Sequence, residues 1–217
     1  AGKVLNRYFQ QKPNLDQEDV QMLLSGVQTI DSPLYKIFQD KKADIVKFFP
    51  EDKYEKFDKN IKLNTISKKA YNAETKKWDD NYFMSETQKF LSKEEAEKIL
   101  KRMKANRALK NKDIPEYEKL ILDLYKDYSA AGSEELNSLA WNFFENVSNK
   151  TSLEKAIAWA QESVKKDQNF ANTDTLANLY NKVGDKKNAK TWAEKSIELA
   201  KSTGQDSSDT EKLLKSL

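Results

Sequence analysis

Neither cysteine nor histidine occurs anywhere in these 217 residues. Their absence removes thiol nucleophiles, disulfides, cysteine-containing metal sites, imidazole ligands and the usual general base of near-neutral chemistry. Cysteine usage therefore carries no record of the redox compartment. Glycine, at 5, and proline, at 4, are too scarce for the closely spaced turns of a β-sandwich or barrel, whereas the abundant Lys, Glu, Ala, Leu and Gln favour helix. No apolar run approaches the roughly eighteen residues of a membrane-spanning helix. The opening "AGKVLNRYFQ" lacks the apolar centre of a signal peptide, so the chain reads as mature or excised, and soluble. An excess of one charge is missing too: 38 Lys and Arg face 35 Asp and Glu, and the net +3 exerts little long-range pull on phosphates or anionic membranes.

What is present is a chain long enough to bury a sizeable core, patterned as amphipathic helices. Ser32-Pro33 ahead of Leu34, Ile37 and Phe38 sets an N-cap and an N1 proline before apolar residues at helical spacing. Ser92 with Glu95 forms a capping box, after which Ala96, Ile99, Leu100 and Met103 recur on one helical face. Tyr117, Leu120, Ile121, Leu124 and Tyr128 repeat that pattern after Ile114-Pro115. "KVLNRYF", "QEDVQMLL" and "ADIVKFF" also fit helices, whereas "FDKNIKLNTIS" is compatible with helix or strand. Short breaks fall near Pro13, Pro50, Asn72, Asn111 and Gly132, none of them a long flexible linker. The expected fold class is all-α, with an N-terminal helical region at 1–110 and regular helical pairs at 111–217.

Those pairs carry a repeat. Ala156, Trp159, Ala160, Ser163 and Val164 are answered 33 residues later by Ala189, Trp192, Ala193, Ser196 and Ile197, close to the tetratricopeptide period of 34 residues. Upstream, Leu139, Ala140 and Phe143 match Leu176, Ala177 and Tyr180 at an offset of 37. A small residue lets the neighbouring helix approach its backbone, which assigns Ala140 and Ala177 to the helix–helix contact. Gly184 falls where the inter-helix turn calls for positive φ. The longer connection "NVSNKTS" suggests a capping box of Thr151 with Glu154 in the first unit. Because two such units leave apolar ends uncovered, the helix at 114–129 and "TEKLLKSL" at 210–217 are the expected caps.

Asn137, Ala140, Trp141, Asp174, Thr175, Leu179, Tyr180, Gly184, Ala193, Ile197, Ala200 and Lys201 fit a recurrent wording of LN-x-x-AW, DT-x-A-x-LY-x-x-G and A-x-x-WA-x-x-AI-x-x-AK. In that wording the chain resembles the helical C-terminal region found behind a thioredoxin-like domain in envelope-associated proteins of some Gram-negative bacteria. "LNRYFQQ" and "SPLYKIF" are similar to the linker helices of the same proteins. The resemblance implies the helical half of a longer product, in the periplasm or cell envelope. The Cys-x-x-Cys pair of such a parent is absent, so thiol–disulfide exchange cannot reside in this chain.

The remaining features are weaker. "KRMKANRALKNK" at 101–112 holds six basic residues and no acidic one, yet no aromatic interleaves them as a nucleic-acid stacking platform requires. It reads as a solvated helix end, and nucleic acid is not an expected partner. Trp78, near Tyr82 and Phe83, fits a satellite core better than a ligand platform, and Trp141, Trp159 and Trp192 fit core positions. Asn146-Val147-Ser148 and Asn149-Lys150-Thr151 match the glycosylation pattern within an Asn/Ser-rich turn. No catalytic residue, metal ligand or cofactor is assigned. The expectation is a non-catalytic scaffold for a protein or peptide partner, or for its own missing thioredoxin-like domain, with Asn142, Glu145, Asn178 and Asn181 as contacts on the first helices. A carboxylate-based hydrolase and an anion- or nucleic-acid-binding module using 101–112 are the alternatives.

Overall fold

In the computed structural model, which describes residues 2–217 with side chains from residue 4 onward, 74% of the residues are helical and 2% lie in strands. The fold is all-α. The helices run in the order α1 (Gly2–Gln11), α2 (Gln17–Gly26), α3 (Pro33–Asp40), α4 (Lys42–Ile45) and α5 (Glu51–Ala70), followed by the strand pair β1 (Tyr71–Asn72) and β2 (Lys77–Trp78). There follow α6 (Asp80–Thr87), α7 (Lys93–Lys110), α8 (Ile114–Leu124), α9 (Ser133–Asn146), α10 (Lys150–Lys166), α11 (Phe170–Lys182), α12 (Lys186–Thr203) and α13 (Ser208–Ser216). Two compact units, Ala1–Leu100 and Lys101–Leu217, divide within α7.

In the first unit, Phe9, Leu23, Phe38 and Ile45 are fully buried. The segment "FDKNIKLNTIS" lies inside α5 and is not extended: Tyr54, Asp58, Ile61 and Thr65 recur at helical spacing and all are buried. Asp58 is held there by Tyr35 Oη at 2.7 Å, Gln39 Nε2 at 2.8 Å and Lys62 Nζ at 2.6 Å, because a buried carboxylate needs donors in place of water. Beyond α5 the strands pair antiparallel, Tyr71 opposite Trp78. Asn72 Oδ1 accepts from the Glu74 and Thr75 N–H groups to close the turn. Trp78 is half-buried, its ring 5.2 Å from Tyr71 and 6.3 Å from the fully buried Phe83, which places it in a satellite core.

The Ser32 and Ser92 caps form as the sequence predicts, Ser92 exchanging hydrogen bonds with Glu95. In the second unit Gly184 has φ +86°. The Asp185 N–H donates to the Tyr180 carbonyl at 2.9 Å and the Gly184 N–H to Asn181 at 3.0 Å, the paired bonds of a Schellman ending. The cap of α10 differs from expectation. Asn149, not Thr151, accepts from the Ser152 N–H at 3.1 Å, and Thr151 already lies inside the helix.

The matched residues occupy matched sites. Ala140, Ala156 and Ala160 have no exposed surface, and neither have Ala177, Ala189 and Ala193. Near the end of α10, Ser163 Oγ donates 2.8 Å to the carbonyl of Ser133, the first residue of α9. Near the end of α12, Ser196 Oγ donates 3.2 Å to the carbonyl of Phe170, the first residue of α11. Each second helix therefore runs antiparallel to its first helix and is pinned to its start by the same hydroxyl.

Filling one of the alanine sites tests this packing. Ala177→Phe should cost on the order of 1–3 kcal/mol, whereas Lys187→Ala, on the exposed side of α12, should stay within about 0.5 kcal/mol. Thermal melts followed by circular dichroism separate the two, and equal melts would remove Ala177 from the contact.

Candidate protein-interaction face

The first helices of the two pairs, α9 and α11, touch each other, and the 37-residue offset sets their side chains in corresponding rows. On α9 the row is Asn137, Trp141, Phe144 and Glu145; on α11 it is Asp174, Asn178, Asn181 and Lys182. Trp141 and Phe144 form a tilted ring pair 4.9 Å apart. Both are only half-buried, against expectation for Trp141; Phe144 packs with one side against the buried core of the unit, to which Leu139, Ala140 and Phe143 belong. Lys182 ties the rows together. Its ammonium lies 5.3 Å over the Phe144 ring and donates to the Phe144 carbonyl, which also shows that α9 and α11 end side by side. Lys182 itself is exposed, and the modest desolvation of its ammonium beside α9 pushes its pKa down.

The four residues anticipated as contacts do not share one environment. Glu145 is exposed, as expected, but Asn142, Asn178 and Asn181 are half-buried. Asn178 Nδ2 donates to the Asp174 carbonyl at 2.9 Å and to Asp174 Oδ2 at 3.1 Å. Asn142 corresponds to Leu179, which is fully buried, so it flanks the row of Trp141 and Phe144. Glu145, Asn178 and Asn181 thus fall in the same rows as Trp141, Phe144 and Lys182, which sequence reasoning assigned to the core or passed over. The signal for them was the same offset, since Trp141 answers to Asn178 and Phe144 to Asn181.

A half-buried carboxyl edges this face. Asp174 Oδ1 accepts from Thr210 Oγ1 of α13 at 2.5 Å, so the C-terminal helix covers the end of the second pair. Among the described residues, no group of three or more Asp, Glu, His or Cys is placed to share a metal ion. In the basic stretch at 101–112, Lys101 pairs with Asp123, and Arg102 Nη2 lies 3.4 Å from Glu135 Oε1. Lys104 and Arg107 have partners as well. No helix among the described residues is long and apolar enough to cross a membrane. In comparisons with known proteins, no family model matches the chain, and neither the curated proteins nor the solved structures give a match.

Burial, reinforced by the nearby Asp209 charge, pushes the Asp174 carboxyl above its ordinary 3.8, outweighing the hydrogen bonds from Thr210 and Asn178 that pull it down. The folded state thus holds this proton more tightly than the unfolded chain does. Its contribution to stability is complete below 3.8 and is lost as pH rises through the folded-state value. The stability of the wild type relative to Asp174→Asn should therefore fall as pH rises from below 3.8 towards neutrality. Urea titrations across that range check this, and a difference that stays constant or grows would contradict it.

Proposed function

We propose that the chain is a non-catalytic helical scaffold whose two tetratricopeptide-like pairs present the α9–α11 face to a polypeptide. The partner is a separate protein or peptide, or a thioredoxin-like domain of the same parent protein. The observation that carries this reading is the half-buried ring pair of Trp141 and Phe144 on α9, with Lys182 of α11 seated over Phe144. Partly exposed aromatics supply contact area at low entropic cost, and the amide of Asn181 on α11 is suited to a carbonyl of a docked chain. The repeat type is supported by the 33-residue spacing, the positive-φ Gly184 and the duplicated serine tether. The thioredoxin association and a periplasmic or envelope location rest on the quoted wording alone. The hydrolase and anion-binding readings draw no comparable support: Asp174 is engaged by Thr210 and Asn178, and Lys101 and Arg102 by carboxylates.

The test is site-specific cross-linking on the full chain. A photoreactive side chain at Asn181 should capture a defined polypeptide, and combining Trp141→Ala with Phe144→Ala should lower the yield by about tenfold or more, as expected for loss of two aromatic anchors. The same group at Lys187 should capture little. Equal capture from both positions, or capture indifferent to the aromatic substitutions, would refute the assignment. A cross-link to a thioredoxin-like domain of the same polypeptide would identify the intramolecular partner.

A further inference from the structure

The two matched tryptophans meet different fates. Trp159 is 2% exposed, whereas Trp192, 33 residues on, is only half-buried and lines an open groove of about 410 Å³ with Gln168, Thr191, Glu194, Lys195 and Glu198. Trp159 lies between Phe143 of α9, centroids 4.9 Å apart, and an aromatic from the preceding connection, Tyr125, which meets it edge-on at 6.1 Å; Phe143 has a counterpart in the second pair, Tyr180, whereas Tyr125 has none. That connection, 125–132, is eight residues long. It is strapped down by Tyr125 Oη on Glu135 at 2.5 Å and by Lys166 Nζ on the Ser129 carbonyl at 2.8 Å. The corresponding link between α10 and α11 is only Asp167, Gln168 and Asn169. Three residues spent on turning the chain leave none to lay a side chain across the next helix, and the site over Trp192 stays open.

The charges around the two sites differ as well. Gln161, Glu162 and Lys165 of α10 correspond to Glu194, Lys195 and Glu198 of α12. Glu162 pairs with Lys165, and Lys195 with Glu198, so the rim passes from neutral to one net negative charge, that of Glu194. Glu194 has only a distant partner, Lys190 at 4.0 Å on the exposed side. We infer that the Trp192 groove receives an aromatic side chain of a polypeptide partner, in the way Tyr125 covers Trp159 in the first pair, with a basic residue following it to meet the charge of Glu194. The volume falls within the usual range of ligand pockets, and the ring of Trp192 offers an incoming aromatic the edge-to-face contact that Trp159 makes. This site lies on α12 and does not depend on the α9–α11 face.

The experiment is a nitrogen-15 NMR titration of the full chain with the blocked tetrapeptide Gly-Tyr-Lys-Gly. The Trp192 indole and the Gln168 and Thr191 amides should shift along a saturable curve. Gly-Leu-Lys-Gly and Gly-Tyr-Glu-Gly should each bind about fivefold more weakly or worse, as should the first peptide to Glu198→Lys, whose exposed side chain can change without disturbing the fold. Trp192→Leu, with its helicity verified by circular dichroism, should lose the saturable shifts. The proposal is overturned if Gly-Tyr-Lys-Gly produces no shift at Trp192 up to millimolar concentration, if the leucine peptide binds equally well, or if Glu198→Lys binds with unchanged affinity.

Discussion

Two helices approach closely where side chains are small, and in Lys101–Leu217 three buried alanines in each pair supply that condition. Ala140, Ala156 and Ala160 in one pair and Ala177, Ala189 and Ala193 in the other have no exposed surface. Close approach fixes which large side chains fill the space between levels, and Leu136, Phe143, Leu176 and Leu179 are fully buried as a result. It also brings the end of each second helix within hydrogen-bond reach of the start of the first, where Ser163 and Ser196 accomplish the same attachment. Around Ser163 the attachment grows into a network, in which Asn172 Nδ2 donates to Ser163 Oγ at 3.1 Å and to the Asp167 carbonyl at 2.6 Å. A fully satisfied buried network of this kind fixes the crossing between pairs and disfavours slippage.

The arrangement of faces follows from that geometry. With the alanines turned inward, the outer rows of α9 and α11 fall side by side, and residues that look unrelated in sequence become neighbours, as Lys182 does over Phe144. The row carries aromatic, amide and ammonium groups, on which the proposed contact with a polypeptide rests. The raised Asp174 carboxyl at its edge is committed to the C-terminal helix through Thr210.

Much of this was legible in the sequence because it depends on local periodicity. The repeated Ala-Trp-Ala-Ser pattern, the glycine at 184 and the serine caps at 32 and 92 are each set by a few neighbouring residues. The misreadings occur where competing local solutions are decided at a distance. In Ser148-Asn149-Lys150-Thr151-Ser152 either Asn149 or Thr151 can cap a helix, and the chain starts the helix early because Val147, just upstream, is buried in the core at 1% exposure. In α5 the Ile and Thr content favours strand, but Tyr54, Asp58, Ile61 and Thr65 make one buried face only as a helix. The tryptophans could not be sorted by their own surroundings. Trp159 is covered by Phe143 and by Tyr125 from an eight-residue connection, whereas the connection before Trp192 has three residues and brings no aromatic, and Trp141 stands beyond the alanine face altogether.

The central claim is that the two helix pairs are copies of one packing unit, so that equivalent residues do equivalent energetic work. Urea unfolding of the single variants Ser163→Ala and Ser196→Ala tests it most directly, followed by tryptophan fluorescence, to which Trp141, Trp159 and Trp192 of this unit contribute. Each substitution should lower stability by about 1 kcal/mol with little change in the denaturant slope, and Ser163→Ala should cost the more because it also strips a partner from Asn172. A loss at one serine with none at the other, or at neither, would show that the shared sequence pattern does not mark a shared structural unit.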